Sequence, residues 1–422
     1  MSSMKLDLEV IEIEDIRFGD ETIVEDGLLQ INKNELEQVI SDPLFAKLEV
    51  HLARPGESIR IIPVKDVIEP RIKPDGTSFP GLIGDYEGCG EGTTKVLRNC
   101  AVVTAGKIVG FQEGIIDMCG PGAEYSRYSE LNNIVIVADP VPDLELAKHE
   151  EALRMAGIKA ANYLASAALD LEEDYTEGLF LKELNEKQKN KLPRVAVMYM
   201  LMAQGLLHDN YLYGIDAKRL HTTFLHPNEI CDGALVSGNC VVAGDKSTTY
   251  DHQNNALIKE MMEAHGKTID FVGVILVPTY PGLADKKRCC NAAVNIARLL
   301  EVKGVILPEE GGGNPEADLM MLCRACEAND IGTVMMLGPD GVEEPVADTT
   351  EEADAVINLG DCNEWILLPK MEKTIGCPEQ VSKLSGGSES SLMDDGSMRV
   401  TLSTIMGSVI GQGYHKMTSF VY

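Results

Sequence analysis

Between residues 255 and 375, short apolar runs alternate with amphipathic stretches of helical length. "DFVGVILVP", "KGVILPEE" and "IGTVMML" are continuous apolar runs bounded by turn-forming residues. "LADKKRCCNAAVNIARLLEV" and "NPEADLMMLCRACEAND" carry apolar residues three and four apart. Strands alternating with helices of this length leave few solutions other than a parallel sheet with helices on its faces. "ADAVINLG" and "EWILLPK" continue the rhythm, and the last 45 or so residues read as loops and short strands.

The first half obeys a different period. "LDLEVIEIEDI" and "SIRIIPVKDVIE" alternate as half-buried strands do, and Gly and Pro interrupt them often. "ELAKHEEALRMAGIKAANYLASAAL", 145–169, is the clearest helix, and the acidic, lysine-rich stretch 170–192 reads as an exposed excursion. "RVAVMYMLMAQG" follows as a buried strand. The predicted fold class is α/β (mixed α+β), a β-rich N-terminal half followed by an α/β layer domain with a mainly parallel sheet. The expected divisions are a β-rich domain 1–140, a helix, linker and strand region 141–239, and an α/β domain 240–422.

Charge narrows the partners. The 37 basic and 67 acidic residues leave a formal charge of −30, which repels nucleic acid and anionic membrane. No apolar run approaches the roughly 20 residues of a membrane helix, and the start "MSSMKLDLEVIEIED" does not read as a signal peptide, so none is expected. Eleven cysteines without framework spacing read as reduced thiols, so a cytoplasmic protein is expected.

Several constellations could carry chemistry. Gly311-Gly312-Gly313-Asn314-Pro315 joins a strand to a helix whose free N–H groups favour an anion, but its spacing fits no nucleotide fingerprint. Cys323 and Cys326 form a CxxC inside a helix, which reads as core packing, as does the Cys289-Cys290 pair. With no second ligand pair nearby, neither a metal nor a nucleotide is expected. In "QGLLHDNYLYG", His208 beside Asp209 reads equally as a general base and as a structural histidine. "DKSTTYDHQNN" gathers Asp245, Lys246, Tyr250 and His252 into one polar loop. Arg54 and Arg71 are candidate carboxylate clamps, and Glu113 and Asp117 lie in a loop-flanked stretch that could line a cleft.

The loop begins just after "SGNC". Cys240 behind a Gly-Asn pair reads as a small residue after a hairpin turn, or as a nucleophile aimed at the preceding carbonyl, that of Asn239. Thiol attack there gives a thioester, and β-elimination then leaves a dehydroalanine that hydrolyses to a pyruvoyl group and ammonia. Such a site needs a strained turn, for which Gly238 offers freedom, and a base, for which His208 and His252 are candidates. Cyclisation of the Asn239 side chain, as at the end of an intein, is the rival chemistry.

"DGALVSGNCV", "QGLLHDNYLYG", "ARPGESIRIIPVKDVIEPRIK", "GKIVGFQEGIIDMCGPGAEYS" and "YDHQNN" together resemble the glycine/sarcosine/betaine reductase family, in its component B proprotein subunit. The resemblance runs from about residue 5 to about 375, with departures at Val242 and Gly244. It implies cleavage between Asn239 and Cys240, with Cys240 becoming the pyruvoyl cofactor. It further implies a Schiff base with a small amine substrate, glycine, sarcosine or betaine. A selenocysteine-containing component B subunit would join in a hetero-oligomer, with component A, a selenoprotein, and component C acting indirectly toward acetyl phosphate. On that footing Cys240, Asn239, His208, Asp209, His252 and Asp245 are the expected catalytic set, and Arg54 and Lys246 the expected substrate-binding residues. The alternative is an uncleaved paralogue that serves as a scaffold subunit.

Overall fold

The computed structural model describes residues 4–180, 192–205, 207–338, 349–412 and 418–420. Its largest sheet runs in the spatial order Thr223–Leu225, Asp270–Thr279, Arg194–Met202, Gly304–Pro308, Gly332–Leu337, Ala355–Asn358, Thr418–Phe420. The five inner strands are parallel and the two edge strands antiparallel. Strand Arg194–Met202 is buried on both faces, which is why it reads as an unbroken apolar run. Val197, Tyr199 and Leu201 meet helix Ala256–Ala264 on one face. Ala196, Met198 and Met200 meet helices Leu283–Leu299 and Glu316–Glu327 on the other.

That connectivity fixes where a ligand can bind. From Arg194–Met202 the chain passes to Asp270–Thr279 on one side, then crosses back to Gly304–Pro308 on the other. The two connections lie on opposite faces, so the carboxyl ends of Arg194–Met202 and Gly304–Pro308 diverge and leave a crevice. Open parallel sheets bind ligands at such a switch point.

The N-terminal half carries smaller sheets around a principal one, in the order Gly114–Asp117, Ile59–Ile68, Cys100–Gly106, Asn132–Pro140, Phe45–Ala53. Helix Leu146–Ser166 packs on it, with Leu153, Ala156, Ala160 and Leu164 against Ile68, Val102, Ile134 and Ile136. Strand Ile59–Ile68 is buried throughout although it carries charge. Its charges are matched: Arg60 grips Asp117 through two bonds of 2.7 Å, and Lys65 meets Glu150 of the helix at 2.6 Å.

The two halves are sewn together. Lys373–Gly376 adds a parallel strand beside Ile59–Ile68, and Ile115 bridges to Ile405. The parallel sheet itself reaches back across residue 240, because the inner strand Arg194–Met202 and the edge strand Thr223–Leu225 precede that point in the chain. "EWILLPK" does not continue the parallel sheet as expected. Trp365–Leu368 pairs antiparallel with Met398–Thr401 in a separate ribbon whose Trp365 and Leu367 face solvent. Of the expected excursion at 170–192, Tyr175–Phe180 is instead a strand paired antiparallel with Lys5–Glu12, and residues 181–191 lie outside the described part. No helix among the described residues is long and apolar enough to cross a membrane.

Gly157 tests the helix–sheet contact. A Cβ there would sit 2.6 Å from Thr104 Cγ2 and 3.0 Å from Ile68 Cδ1. In an exposed helix Gly→Ala gains about 1 kcal/mol; here overpacking of roughly 1–3 kcal/mol opposes it. Gly157→Ala is therefore expected to lower the urea unfolding midpoint, and a raised midpoint would show that the contact is loose.

Candidate active site

Cys240 lies at the switch point. It lines a cleft of about 250 Å³ together with Met202 and Gln204 from the end of one strand, Gly311 and Gly312 beyond the end of the next, and Phe111 and Gln112 from the N-terminal half. The cysteine is 4% exposed. Burial, with the negative charge of Glu310 next in weight, pushes its thiol well above the usual range, so it is a neutral S–H.

One amide organises the thiol. Cys240 Sγ donates to Asn210 Oδ1 at 3.3 Å, and the Gly238 N–H donates to the same oxygen at 3.1 Å. The amide of Asn210 donates through Nδ2 to Glu310 Oε1 at 2.6 Å, and the Met202 N–H donates to Glu310 Oε2 at 2.6 Å. A carboxylate oxygen accepts only, so Glu310 fixes which way the Asn210 amide faces. Asn210 thus ties the residue two before the cysteine and the cysteine's own sulfur to one point.

The preceding residue is clamped from both sides. Asn239 Nδ2 donates to Glu113 Oε1 at 2.8 Å, and Asn239 Oδ1 accepts from Lys246 Nζ at 3.0 Å. Lys246 also donates to the Lys65 carbonyl at 3.0 Å. With its nitrogen held by a carboxylate, the Asn239 side chain is not presented to its own carbonyl, which disfavours cyclisation. Ser237 N–H donates to Thr249 Oγ1, whose hydroxyl in turn donates to Asp66 Oδ2 at 2.7 Å. The segment is thereby anchored to strand Ile59–Ile68.

Residues 237–248 form no hairpin. Leu235–Val236 pairs instead with Tyr211–Leu212, and no strand follows Cys240 directly. Gly238 does not adopt a positive φ. Glycine is needed there for closeness: a Cβ would lie 1.8 Å from the Asp209 carbonyl oxygen. In place of the expected strained turn, Gly238 is tightly packed and the chain bends at Asn239.

The other expected residues divide. Asp209 borders the cysteine: a Cβ on Gly205 would meet Asp209 Oδ1 at 2.7 Å and Cys240 Cα at 2.8 Å. Its carboxyl accepts from Gly205 N–H, pairs with Lys218 at 3.1 Å, and is pushed by burial to about 6. Lys246, expected to bind substrate, hydrogen-bonds Asn239 and does not line the cleft. His208 turns away, its ring meeting Ala147 O, Tyr211 Oη and Glu150 on the helix side. His252 is buried against Tyr199 Oη at 3.0 Å, and burial lowers it to about 4. Neither ring hydrogen-bonds Asn239 or Cys240. Asp245 is half-buried in the loop after the cysteine, its N–H on the Val242 carbonyl. Arg54 is taken up by Asp15, Glu57 and the Ile16 carbonyl, away from the cleft. Cys289, Cys290, Cys323 and Cys326 are core residues. At the Gly311–Pro315 helix start, Glu316 already accepts the Gly313 N–H at 2.7 Å, so an anion there would meet a like charge.

Asn210 and Glu310 escape the sequence reading. Asn210 follows His208 and Asp209 inside a motif that drew attention for those two, Glu310 lies beyond a strand end just before the Gly311–Pro315 turn, and only the topology unites the two loops. A carboxylate at the end of the strand "KGVILPEE" is the signal that strand order would have exposed.

The family model for glycine/sarcosine/betaine reductase component B subunits matches residues 4–419. The chain is 46% identical over 430 residues to glycine reductase complex component B subunits alpha and beta of Acetoanaerobium sticklandii, covering 99% of this chain and 100% of that one. It is 45% identical over 428 residues to sarcosine reductase complex component B subunit alpha of Peptoclostridium acidaminophilum, covering 99% and 100%. It is 38% identical over 401 residues to the betaine reductase complex component B subunit alpha of the same organism, covering 91% of each. No solved structure matches the chain.

The site makes a pH prediction. Burial raises both Glu113 and Glu310 from 4.5 to about 7. A carboxyl with a raised folded value contributes stability in full below its unfolded value, and loses that contribution as pH rises through the folded one. The melting temperature should therefore fall between pH 5.5 and 8, and fall less in Glu113→Gln. An unchanged fall in that variant would contradict the raised value for Glu113.

Proposed function

The chain belongs to the family of glycine/sarcosine/betaine reductase component B subunits, and we propose that it is the proprotein subunit of an amino-acid reductase that cuts itself between Asn239 and Cys240. The observation that carries this reading is the Asn210 amide, which Glu310 orients so that it holds the Cys240 thiol and the Gly238 N–H at once. The membership supports a role as an oxidoreductase subunit, and the relatives' names place them in reductase complexes.

The steps follow from the residues in place. Cys240 Sγ attacks the Asn239 carbonyl carbon as its proton departs, and the peptide nitrogen leaves as the Cys240 amine, giving a thioester. Glu310, whose charge acts on the thiol and whose own proton affinity lies near neutrality, is the proton acceptor we assign. Glu113 and Lys246 hold residue 239 still while its carbonyl is attacked. Loss of the Cys240 Cα proton expels the sulfur with the Asn239 acyl group as a thiocarboxylate. Water then replaces the enamine nitrogen, releasing ammonia, and hydrolyses the thiocarboxylate to a carboxylate and sulfide.

The surroundings fit the group so formed. Residue 240 borders a cleft of about 250 Å³, large enough for a small amine, and its walls are mostly apolar or uncharged. The pyruvoyl carbonyl would supply an electron sink that condenses with the substrate amine as a Schiff base and makes nitrogen a leaving group for a selenol of a partner subunit. The chain's own residues would then confine the amine and exclude water. The cut leaves chains of 239 and 183 residues. The shared sheet and the Lys373–Gly376 strand would hold them together as parts of a hetero-oligomer.

Expressed wild-type protein should resolve on a denaturing gel into two chains, and Cys240→Ala should stay whole. Asn210→Ala should slow the split by roughly ten- to a hundredfold, the cost of losing a buried hydrogen bond of about 1–3 kcal/mol. Cleavage of Cys240→Ala at the wild-type rate would show ordinary proteolysis. An uncut wild type would favour a scaffold subunit.

A further inference from the structure

Gln112 is 2% exposed, yet its side-chain oxygen has no hydrogen-bond partner. Buried carboxamides in folded proteins are almost always paired, and an exception calls for an explanation such as a bound partner. This one lines the cleft that holds Cys240. Its neighbour in the chain, Glu113, grips Asn239, so the segment that carries Gln112 is already fixed against the scissile pair. Of the other polar side chains there, the Gln204 amide donates to the Thr279 carbonyl at 3.1 Å, and Asn314 is exposed at the rim. Met202, Val241, Val242 and Pro315 offer no acceptor side chain of comparable strength.

We propose that Gln112 is a specificity-determining residue of this site, its Oε1 accepting the one N–H that a primary amine keeps once its nitrogen is bonded to the carbon of residue 240. The proposal rests on the pyruvoyl reading above. The nitrogen lone pair attacks the carbonyl carbon, the carbonyl oxygen leaves as water, and a C=N bond forms. A primary amine then retains, when protonated, one N–H for Gln112. A secondary amine retains none, and leaves the buried oxygen unpaired. A quaternary amine has no lone pair and cannot bond. The site therefore selects a small primary amino acid of glycine's type over its N-methylated analogues. Sequence identity alone, 46% to a glycine and 45% to a sarcosine relative, does not make this distinction.

The test traps the bonded amine on purified, cleaved protein with cyanoborohydride and reads the mass of the 183-residue chain. Glycine and sarcosine are compared at equal concentration, each normalised to its trapping by pyruvamide in free solution. Wild type should favour glycine by about tenfold or more. Gln112→Met, which keeps shape and removes the acceptor, should bring the ratio close to one. Gln112→Glu, which keeps an acceptor oxygen, should retain the preference. Equal trapping by wild type, or a preference that survives in Gln112→Met, would overturn the role of Gln112 while leaving the carbonyl in place. A 183-residue chain that reacts with neither amine nor any carbonyl reagent would remove the pyruvoyl reading, and this proposal with it.

Discussion

The site depends on a carboxyl buried at the end of a central strand. Glu310 has no solvent to accept from, so it takes the Met202 N–H and the Asn210 amide. Those two bonds join the carboxyl ends of Arg194–Met202 and Gly304–Pro308 at the point where the sheet reverses its winding. They also leave the Asn210 oxygen with a single direction to face, toward Gly238 and Cys240. If Glu310 lost its acceptor oxygens, the amide could turn, and the thiol and the N–H would each lose the same partner. One interaction thus couples the fold's crevice to the orientation of its sulfur.

Packing around the Asn239–Cys240 bond is continuous with both halves. Glu113, Lys65 and Asp66 reach it from the N-terminal sheet, and Asn210, Glu310 and Met202 from the parallel one. A break at that bond would not part the molecule. One inner strand of the parallel sheet, Arg194–Met202, comes from before residue 240, both its neighbours come from after it, and Lys373–Gly376 returns to the N-terminal sheet. The positions on either side of the bond are held by buried polar groups whose proton affinities lie near neutrality, a setting suited to moving protons without full charges.

Much of this was legible in the residues. The period of the apolar runs after residue 255 told of a parallel sheet, and the spacing in 145–169 told of the helix seen at Leu146–Ser166. Periodicity is a local signal, and it served wherever a segment's burial matched its neighbours. It failed at "EWILLPK", where one face of the strand meets solvent. The polar loop around Lys246 and the cysteine were visible as a cluster. The partners that give the cluster its geometry were not, because Asn210 and Gln112 lie far apart in the chain inside motifs read for other residues, and Glu310 follows a separate strand. His208 and His252 show the converse: chemically apt residues in conspicuous polar stretches, whose rings the fold directs elsewhere. Gly238 was rightly singled out, for a reason of packing and not of dihedral freedom.

The central claim is that Cys240 is consumed to make a carbonyl at a new chain start. Intact mass spectrometry of the purified wild-type protein tests it most directly. The account predicts a 183-residue chain beginning at position 240 that lacks the cysteine's sulfur and nitrogen, bears one oxygen in their place, and gains a single label from a hydrazide. A full-length chain, or a fragment whose first residue is an intact, unlabelled cysteine, would contradict it.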